Sequence, residues 1–449
     1  MRFTVEQETF RRALDVADLG VGSEKGNFTT KLKFDVSEDE VSIRSTNKEV
    51  FVCVPFEPLE VQATGAFMIN AERLQTWVKN VPSGPIEVRR DDGDIVASRN
   101  DIVGRFVRYR PADFPNLKVG ESSVDVMTVP VDRFQKAFGF AEPFLEEVDD
   151  GTSGRAWKQV TELWDGDVVA SDIKSVNCFR DASLEAPLLE CDAEDMSQIE
   201  RLVSQHDQVS LDDVCVRSEG DLTYVRPNHL ARVMYDSDLV PYRGWSILED
   251  FENGKLDPFR VSKRVLSGLL SFMRKVSDEE VTISRDNQRY VVRSNDGSMF
   301  GFTRSQHAMP FLIKVMHAEK EVEDHRWEMH TGELLKGIKA LSATAPTNDD
   351  VLTVEFRSED GKDVLDLKMA AEAGDSNSVY PIEVTFLEGC EGQSFRVGKE
   401  RVQKVIGQYE NKHAMFGLSV DEEYLRIRNE PDEDEDIDAV KFSQISLVL

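Results

Sequence analysis

Several features that define common protein classes are missing from this 449-residue sequence. Its five cysteines are scattered and none lies in a CxxC pair, which argues against a zinc site and fits a reducing compartment. No apolar run approaches the ~18–20 residues that span a bilayer. The first residues also lack the basic-then-apolar layout of a signal peptide. The sequence therefore predicts an intracellular, cytoplasmic protein with neither a membrane segment nor a metal site.

Enzyme motifs are missing as well. The sequence contains no P-loop, no HExxH, no GxSxG and no GxGxxG at a strand–helix junction. His325 and His330 are five residues apart, which is off the i, i+4 spacing of a helical metal pair. Asp165, Asp167 and Asp172 resemble a metal cluster, but Asp165-Gly166-Asp167 is better interpreted as a hairpin turn. We predict a protein without catalytic activity or cofactor, and a hydrolase interpretation has no motif in its favour.

Basic residues are the minority charge. The sequence has 54 Lys and Arg against 84 Asp and Glu, a net charge of −30. Such a balance argues against nucleic-acid binding unless the basic residues are concentrated on one surface, because the local field guides a polyanion. The distribution of the basic residues therefore decides between two classes of function.

A strand–turn–helix stretch occurs six times. The copies are Phe3–Leu14, Phe67–Val78, Met127–Phe138, Phe259–Leu270, Trp327–Ile338 and Phe395–Gly407. In each copy the first apolar residue of the helix is followed by apolar residues four and seven positions on, which is one face of an amphipathic helix. Those first apolar residues are Phe10, Leu74, Phe134, Val265, Leu334 and Val402.

The opposite face of these helices is biased towards basic residues. Two positions after the first apolar residue, about 200° round the helix, stand Arg12, Lys136, Lys336 and Lys404, with Thr76 and Ser267 in the other copies. One such face would be an ordinary solvated surface, but six in an acidic chain predict a surface for a phosphate backbone. The predicted DNA-binding residues are Arg11, Arg12, Arg73, Lys79, Arg133, Lys136, Lys263, Arg264, Lys275, Lys336, Lys339, Lys399, Arg401 and Lys404.

The spacing of the copies predicts three modules of two units each. The first apolar residues stand at 10, 74, 134, 265, 334 and 402, so the gaps are 64, 60, 131, 69 and 68 residues. Each unit reads as a strand, a helix and three or more strands, and the doubled gap contains an insertion at about 188–258. We predict an α+β fold with modules at 1–122, 123–320 and 321–449, in which paired units repeat around an axis as half of a ring.

Three short segments resemble a known family. MRFTVEQ at the N-terminus, RPADFPNL at the end of the first module and VVASDIKSV in the second resemble the bacterial DNA polymerase III beta subunit, the DNA sliding clamp. The resemblance extends over nearly the whole chain except 188–258, and the divergence suggests a phage-type member. It implies a ring-shaped, head-to-tail homodimer that encircles double-stranded DNA without reading sequence and tethers the replicative polymerase.

The resemblance also implies an apolar pocket for short peptide motifs of the polymerase and the clamp loader. Its residues would be Ser171, Ile173, Lys174, Val176, Pro310, Val315, Ser443, Ile445, Leu447, Val448 and Leu449. The family's usual Gly-His-Arg-Leu turn and Met-Pro-Met-Arg-Leu tail are replaced here, so a pocket of different shape is expected. Ile445 and Leu447 fit equally well as the core of a strand.

Two further expectations complete the interpretation. Trp77 and Phe106 are the predicted dimer-interface residues, since they stand where module one should meet module three of a neighbour. The alternative to a clamp is an acidic scaffold or inhibitor that binds proteins through its negative surface and does not encircle DNA.

Overall fold

The computed structural model describes most of the chain. The described residues are 1–24, 28–116, 124–145, 160–164, 166–171, 175–184, 189–191, 216–219, 222–225, 259–276, 278–286, 289–303, 325–345, 350–370, 377–409, 412–419, 424–429 and 440–447. The predicted module boundaries at 122/123 and 320/321 and both ends of the predicted insertion lie outside these ranges, so the boundaries stay predictions.

Each of the six repeated stretches contains an α-helix. The helices are α1 (Gln7–Ala17), α2 (Ala71–Asn80), α3 (Val131–Ala141), α4 (Lys263–Lys275), α5 (Thr331–Ser342) and α6 (Lys399–Ile406). Local chemistry sets some of their starts: the side chain of Asn70 accepts a hydrogen bond from the backbone N–H of Arg73, and His330 accepts one from Gly332. The predicted six-fold recurrence is confirmed.

Twenty-eight strands surround these helices in the described part of the chain. The first module has β1 (Arg2–Glu6), β2 (Lys31–Val36), β3 (Val41–Thr46), β4 (Val50–Phe56), β5 (Glu60–Ala63), β6 (Gly65–Asn70), β7 (Pro85–Asp91), β8 (Asp94–Arg99) and β9 (Ile102–Phe106). The second has β10 (Val124–Pro130), β11 (Val160–Trp164), β12 (Asp167–Ser171), β13 (Ser175–Arg180), β14 (Leu189–Cys191), β15 (Val216–Glu219), β16 (Leu222–Val225), β17 (Phe259–Ser262), β18 (Glu280–Asp286), β19 (Arg289–Arg293) and β20 (Met299–Thr303).

The third module contributes the remaining strands. They are β21 (His325–His330), β22 (Val351–Glu359), β23 (Lys362–Ala370), β24 (Asn377–Glu388), β25 (Ser394–Gly398), β26 (His413–Ser419), β27 (Tyr424–Arg428) and β28 (Val440–Ser446). The order of elements in every module is thus a strand, a helix and three or more strands, twice over, as the repeat spacing predicts.

The chain divides into two compact units that cross the predicted module limits. Unit 1 is Met1–Gln135 with Arg264–Gln306, and unit 2 is Lys136–Lys263 with His307–Leu449. Unit 1 contains a five-stranded sheet in the order β5-β1-β7-β8-β9 and an eight-stranded sheet in the order β10-β18-β19-β20-β4-β3-β2-β6. Unit 2 contains a twelve-stranded sheet in the order β17-β11-β12-β13-β28-β27-β26-β21-β24-β23-β22-β25. All pairings given for these strands are antiparallel.

Each large sheet joins strands of consecutive modules at one seam. In unit 1, β4 of the first module pairs with β20 of the second, with Val50 opposite Phe302 and Cys53 opposite Met299. In unit 2, β13 of the second module pairs with β28 of the third, with Ser175 opposite Ile445. In both cases the third strand after a module's first helix pairs with the closing strand of the next module.

The predicted insertion contains a small sheet of its own. The sequences VCVRSE and LTYVR predict two strands, which are present as β15 and β16 and pair with β14 in the order β14-β16-β15. The sequence also predicts a helix at Ala193–His206, which lies outside the described residues.

The turn sequences Asp92-Gly93 and Asn100-Asp101 predict two hairpins, which are confirmed, and the alternating segment Val50–Val61 predicts one strand, which is divided. Asp92 and Gly93 have φ values of 44° and 98° in the β7–β8 turn, and Asn100 has φ 51° in the β8–β9 turn. These left-handed conformations favour Gly, Asn and Asp. Asp167 pairs with Trp164 across the β11–β12 turn, as the hairpin interpretation requires. The segment Val50–Val61, read as one strand, forms β4 and β5, since Pro58 lies between them.

Aromatic side chains fill the cores between helices and sheets. In unit 1, Phe34 stacks on Phe67 with centroids 4.5 Å apart, and Phe10 of α1 meets Phe34 edge-on. In unit 2, Trp327 is buried, stacks on Phe416 at 5.5 Å and contacts Phe356 edge-on at 4.7 Å. Each aromatic pair adds about 0.5–1.5 kcal/mol beyond its burial.

Truncation of Trp327 tests this core. Trp327→Ala is expected to lower the free energy of unfolding by about 3–5 kcal/mol, because a large cavity opens among packed rings. Trp327→Phe is the matched control and should cost clearly less, since the indole nitrogen has no hydrogen-bond partner among the described residues. Urea denaturation followed by circular dichroism measures both. Equal losses for the two variants would contradict this account of the core.

Candidate nucleic-acid interface

The amphipathic pattern predicted for the six helices is present in the structure. The residues of the apolar stripe are buried in every copy: Phe10, Leu14, Ala17, Leu74, Val78, Val81, Phe134, Phe138, Ala141, Val265, Leu269, Phe272, Leu334, Ile338, Leu341, Val402, Ile406 and Tyr409. The opposite positions are exposed in every copy: Arg12, Thr76, Lys136, Ser267, Lys336 and Lys404. Burying the stripe against a sheet thus directs the basic positions to solvent.

Acidic residues on these helices concentrate at one end. The first turn contains Glu8 in α1, Glu72 in α2, Asp132 in α3, Glu333 in α5 and Glu400 in α6. Carboxylates there interact favourably with the positive end of the helix dipole. Lys263, Arg264, Lys399 and Arg401 also stand in first turns, so both signs of charge occur at the helix starts.

Four of the predicted DNA-binding residues are exposed and have no ion-pair or hydrogen-bond partner for their side chains within the described ranges. They are Arg11, Arg73, Lys136 and Lys339. An exposed cation without a carboxylate partner keeps its full charge for a phosphate group. These residues are the strongest candidates for backbone contacts.

Other predicted cations form ion pairs at the surface. Lys79 lies 3.1 Å from Asp15, Arg264 2.8 Å from Glu49, and Lys336 2.6 Å from Glu333. The hydrogen bond and charge of Lys336 hold the pKa of Glu333 below its usual value, and Glu333 in turn raises the pKa of Lys336. Such exposed pairs are weak, so an incoming phosphate can compete for these cations.

Two predicted cations make hydrogen bonds to backbone carbonyls. Half-buried Lys263 donates to the carbonyl oxygen of Leu145 at 2.8 Å, and half-buried Lys275 donates to that of Asp15 at 2.5 Å. These contacts satisfy carbonyl groups near helix ends, which is a structural use of the ammonium group.

The remaining cations have mixed surroundings. Lys404 is exposed and lies 5.7 Å from the ring centre of Phe144. Arg133 lies 4.0 Å from Asp132. Burial raises the pKa of Asp296, but hydrogen bonds from Ser294 and Ser298, with a smaller contribution from the charge of Arg12, hold it below its usual value. Lys399 and Arg401 are half-buried at the start of α6. The contacts of these five cations with DNA stay predictions.

The described residues of the predicted peptide pocket belong to the β13–β28 seam. Ser171 is buried and donates to the carbonyl of Ser175 at 2.9 Å, and buried Ser443 lies 3.0 Å from the hydroxyl of Tyr409. Ile445 is fully buried within β28, whereas Leu447 is partly exposed and bridges to Val397. Val176 is partly exposed opposite Gln444. Ile173, Lys174, Pro310, Val315, Val448 and Leu449 lie outside the described residues.

The predicted dimer-interface residues contact one another within unit 1. The Trp77 and Phe106 rings meet edge-on with centroids 6.1 Å apart, and Phe106 is only 8% exposed. Gly104 lies beneath both rings, where a Cβ would stand 2.8 Å from the indole nitrogen. Their direct role at an interface stays a prediction, but their contact packs α2 against β9.

Exposed apolar side chains on β9 were missed by the sequence reasoning. Ile102, Val103 and Val107 are exposed large hydrophobic residues on or just after this strand, and Val379 is one on β24. β9 pairs only with β8 among the described strands. The apolar residues flanking Asn100-Asp101 were visible in the sequence, but only the sheet order shows that they stand at an edge.

Several solved structures are similar to this chain over its full length. The chain is similar over 100% of both chains to the DNA polymerase III subunit beta from Pseudomonas aeruginosa, with TM-score 0.70 and 12% identity. It is similar to the beta subunit from Thermotoga maritima with TM-score 0.68 and 13% identity, covering 100% of this chain and 99% of the other. The Helicobacter pylori beta clamp in complex with carprofen gives TM-score 0.72 and 11% identity over 100% of both chains.

The chain has the sliding-clamp fold. The resemblance predicted from MRFTVEQ, RPADFPNL and VVASDIKSV is confirmed at this level, and so is the α+β class. No family model matches the clamp-fold chain, and no curated protein matches it in sequence. None of the described helices combines the length and apolar character needed to cross a membrane.

Lys275 donates a hydrogen bond to the carbonyl oxygen of Asp15, so its loss should affect stability more than the loss of an exposed lysine. Lys275→Met is expected to destabilise the protein by about 1–2 kcal/mol, since a charge-assisted hydrogen bond to Asp15 is lost. Lys339→Met is the matched control and should change stability little, because this exposed ammonium has no partner in the described part of the chain. Thermal unfolding measures the difference, and equal midpoints for the two variants would contradict the assigned role.

Proposed function

We propose that the chain is a DNA sliding clamp: a ring-shaped homodimer that encircles double-stranded DNA in the cytoplasm and holds the replicative polymerase on it. The protein has no catalytic activity of its own in this proposal. The supporting observation is the combination of a clamp fold with six helices whose solvent-facing positions favour Lys and Arg in a chain of net charge −30.

Sequence-independent DNA binding follows from the kind of groups on these helices. Arg11, Arg73, Lys136 and Lys339 are flexible cations suited to phosphate oxygens, which fix no base sequence. The acidic remainder of the chain repels DNA elsewhere, so the basic helix faces are the favourable contact surface. Such contacts hold a duplex weakly at each point and allow it to slide.

The strand pairing at the seams supports a dimer. Within the chain, β4 pairs with β20 and β13 pairs with β28, each time a module's third strand with the closing strand of the next module. One closing strand and one third strand take no part in such a seam among the described strands. They are β9, which closes module one, and the first half of β24, which is the third strand of module three. Among the described strands each has one neighbour there.

We therefore propose that β9 of one copy pairs with the first half of β24 of another. Val103 is 52% exposed on β9, and Val379 is 50% exposed on β24. Exposed apolar strand edges are normally covered or paired. The junction is head-to-tail, and such an interface closes into a ring when the rotation permits. Two copies give the six modules that the clamp resemblance implies.

Polymerase and clamp-loader peptides are the proposed protein partners. The proposal assigns them to the seam of β13 with β28, where Leu447 is partly exposed beside Val397. Ile445 lies within the strand core, so its truncation would damage the sheet as well as any pocket. Leu447 is therefore the better residue for probing peptide binding.

Charge reversal tests the DNA channel. Replacement of Arg11, Arg73, Lys136 and Lys339 by Glu is expected to reduce retention on nicked circular DNA at least ten-fold, because four phosphate contacts become repulsive. The control variant replaces Arg2, Arg90, Lys362 and Arg396 by Glu, which changes the net charge equally at exposed strand positions outside β9 and β24. Retention is measured by gel filtration after incubation at high protein concentration.

Two results would contradict the channel proposal. One is equal retention by the channel variant and its control. The other is retention of the wild-type protein that is unchanged when the circular DNA is linearised, because a ring slides off a free end. An acidic scaffold that does not encircle DNA predicts both results.

Disruption of the open strand edge tests the dimer. Wild-type protein should sediment at twice the chain mass of 50.8 kDa. Val379→Asp is expected to raise the dimer dissociation constant at least a hundred-fold, because it buries a charge at the junction. Leu387→Asp is the matched control, since Leu387 is 45% exposed on the half of β24 that β21 already flanks. A trimer, or a dimer sensitive only to Leu387→Asp, would overturn the pairing.

A further inference from the structure

A second apolar pocket lies in unit 1, at the seam between β4 and β20. It is a partly open cavity of about 190 Å³ where β4 begins and β20 ends. Phe51 contributes a buried side chain to its lining, whereas Val50 and Phe302, one position along the paired strands, direct their side chains to the other face of the sheet. A dry apolar cavity of about 150 Å³ accepts a benzene ring, so this one has room for one large apolar side chain.

The space depends on a glycine in the closing strand. Gly301 of β20 stands directly opposite Phe51 of β4. Directly opposed residues on antiparallel strands project to the same face. Gly301 therefore leaves room beside the Phe51 ring that any larger residue would occupy.

One wall of the pocket is a turn with a defined conformation. The hydroxyl of Thr46 donates to the carbonyl of Val50 at 2.8 Å and accepts from the backbone N–H of Lys48 at 3.1 Å. The side chain of Asn47 accepts from the backbone N–H groups of Glu49 and Val50 at 3.0 and 2.7 Å. These bonds fix the turn, so the pocket is pre-formed and binding requires little ordering of the protein.

The rim of the pocket is positive. Arg289 is exposed at the start of β19, opposite Thr303, and its side chain contacts no carboxylate within the described ranges. The acidic residue of the rim, Glu49, is already paired with Arg264 at 2.8 Å. Arginine presents a fork of donors suited to a carboxylate. In a chain of net charge −30, a cation that has no carboxylate partner among the described side chains favours an acidic ligand.

The pocket repeats the construction of the predicted partner site. In each seam a module's third strand pairs with the closing strand of the next module, β4 with β20 in unit 1 and β13 with β28 in unit 2. That the occupant is a peptide rests on the clamp proposal. The cavity and the charge of its rim are observations that do not depend on that proposal.

We propose that the seam of β4 with β20 is a second docking site, which takes a short acidic peptide of a partner protein. One aromatic or large aliphatic side chain enters the cavity beside Phe51, and an adjacent carboxylate pairs with Arg289. Each chain then presents two peptide sites, one at each of its internal seams.

A photo-cross-linking probe tests the site on the full chain. The probe is an eight-residue peptide with p-benzoylphenylalanine between two aspartates, and the control probe has lysines in their place. Mass spectrometry is expected to locate the aspartate probe's cross-links within Thr46–Phe51 or Phe300–Thr303. The lysine probe should give at least ten-fold less product.

Two variants and one control refine the test. Arg289→Glu should weaken cross-linking of the aspartate probe at least ten-fold, whereas Arg90→Glu, an equal charge change at another exposed strand arginine of unit 1, should leave it within two-fold. Thr303→Trp should abolish it by filling the exposed mouth of the cavity. Thermal unfolding verifies that each variant is folded.

The contradicting outcomes are specific. Cross-links only at other positions, equal labelling by the two probes, or equal effects of Arg289→Glu and Arg90→Glu would each overturn the second site. If a variant does not fold, the test uses the wild-type protein alone. It then rests on the positions of the cross-links and on the comparison of the two probes. Retention on circular DNA is measured on the wild-type protein as well, so a wild-type protein that is retained but not labelled within these segments rejects this site and leaves the clamp proposal standing.

Discussion

The pairing of strand edges is the constraint on which the rest of the structure depends. An unpaired edge exposes a row of backbone N–H and C=O groups, which is costly and invites association. Here the third strand of one module and the closing strand of the next satisfy each other at β4–β20 and at β13–β28. Both large sheets, and the compact units that contain them, result from this one rule. It also explains why the units cross the predicted module limits.

The charge pattern is a consequence of helix packing. Each helix must bury its stripe, such as Phe10 and Leu14 in α1, against a sheet, and the opposite positions then face solvent. Exposed cations on those positions need no special support from the fold. Half-buried Lys275 differs, because its ammonium group already donates a hydrogen bond to the carbonyl oxygen of Asp15. A basic residue on a helix is thus a DNA-binding candidate only when its surroundings leave the charge free.

Much of the fold could be predicted from local signals. The Asp92-Gly93 and Asn100-Asp101 turns specify hairpins through their left-handed conformations, and the structure has both. The six helices follow from apolar periodicity. Pro58 divides one predicted strand into β4 and β5, a break that periodicity alone does not reveal. The burial of Phe106 against Trp77 could not be predicted either, because it depends on Gly104 of β9 lying beneath both rings.

The sequence by itself determined the number of repeats, the amphipathic helices, most strands and the basic bias of the helix faces. These properties are local, since periodicity and turn chemistry act over a few residues. Only the tertiary structure decided which strands pair across modules and that Gly301 leaves a cavity beside Phe51. It also decided that, among the described strands, β9 and the first half of β24 have an open edge. Those features bring together residues that are hundreds of positions apart, such as Val50 and Phe302. No local pattern encodes such a contact, because its stability arises from the whole sheet.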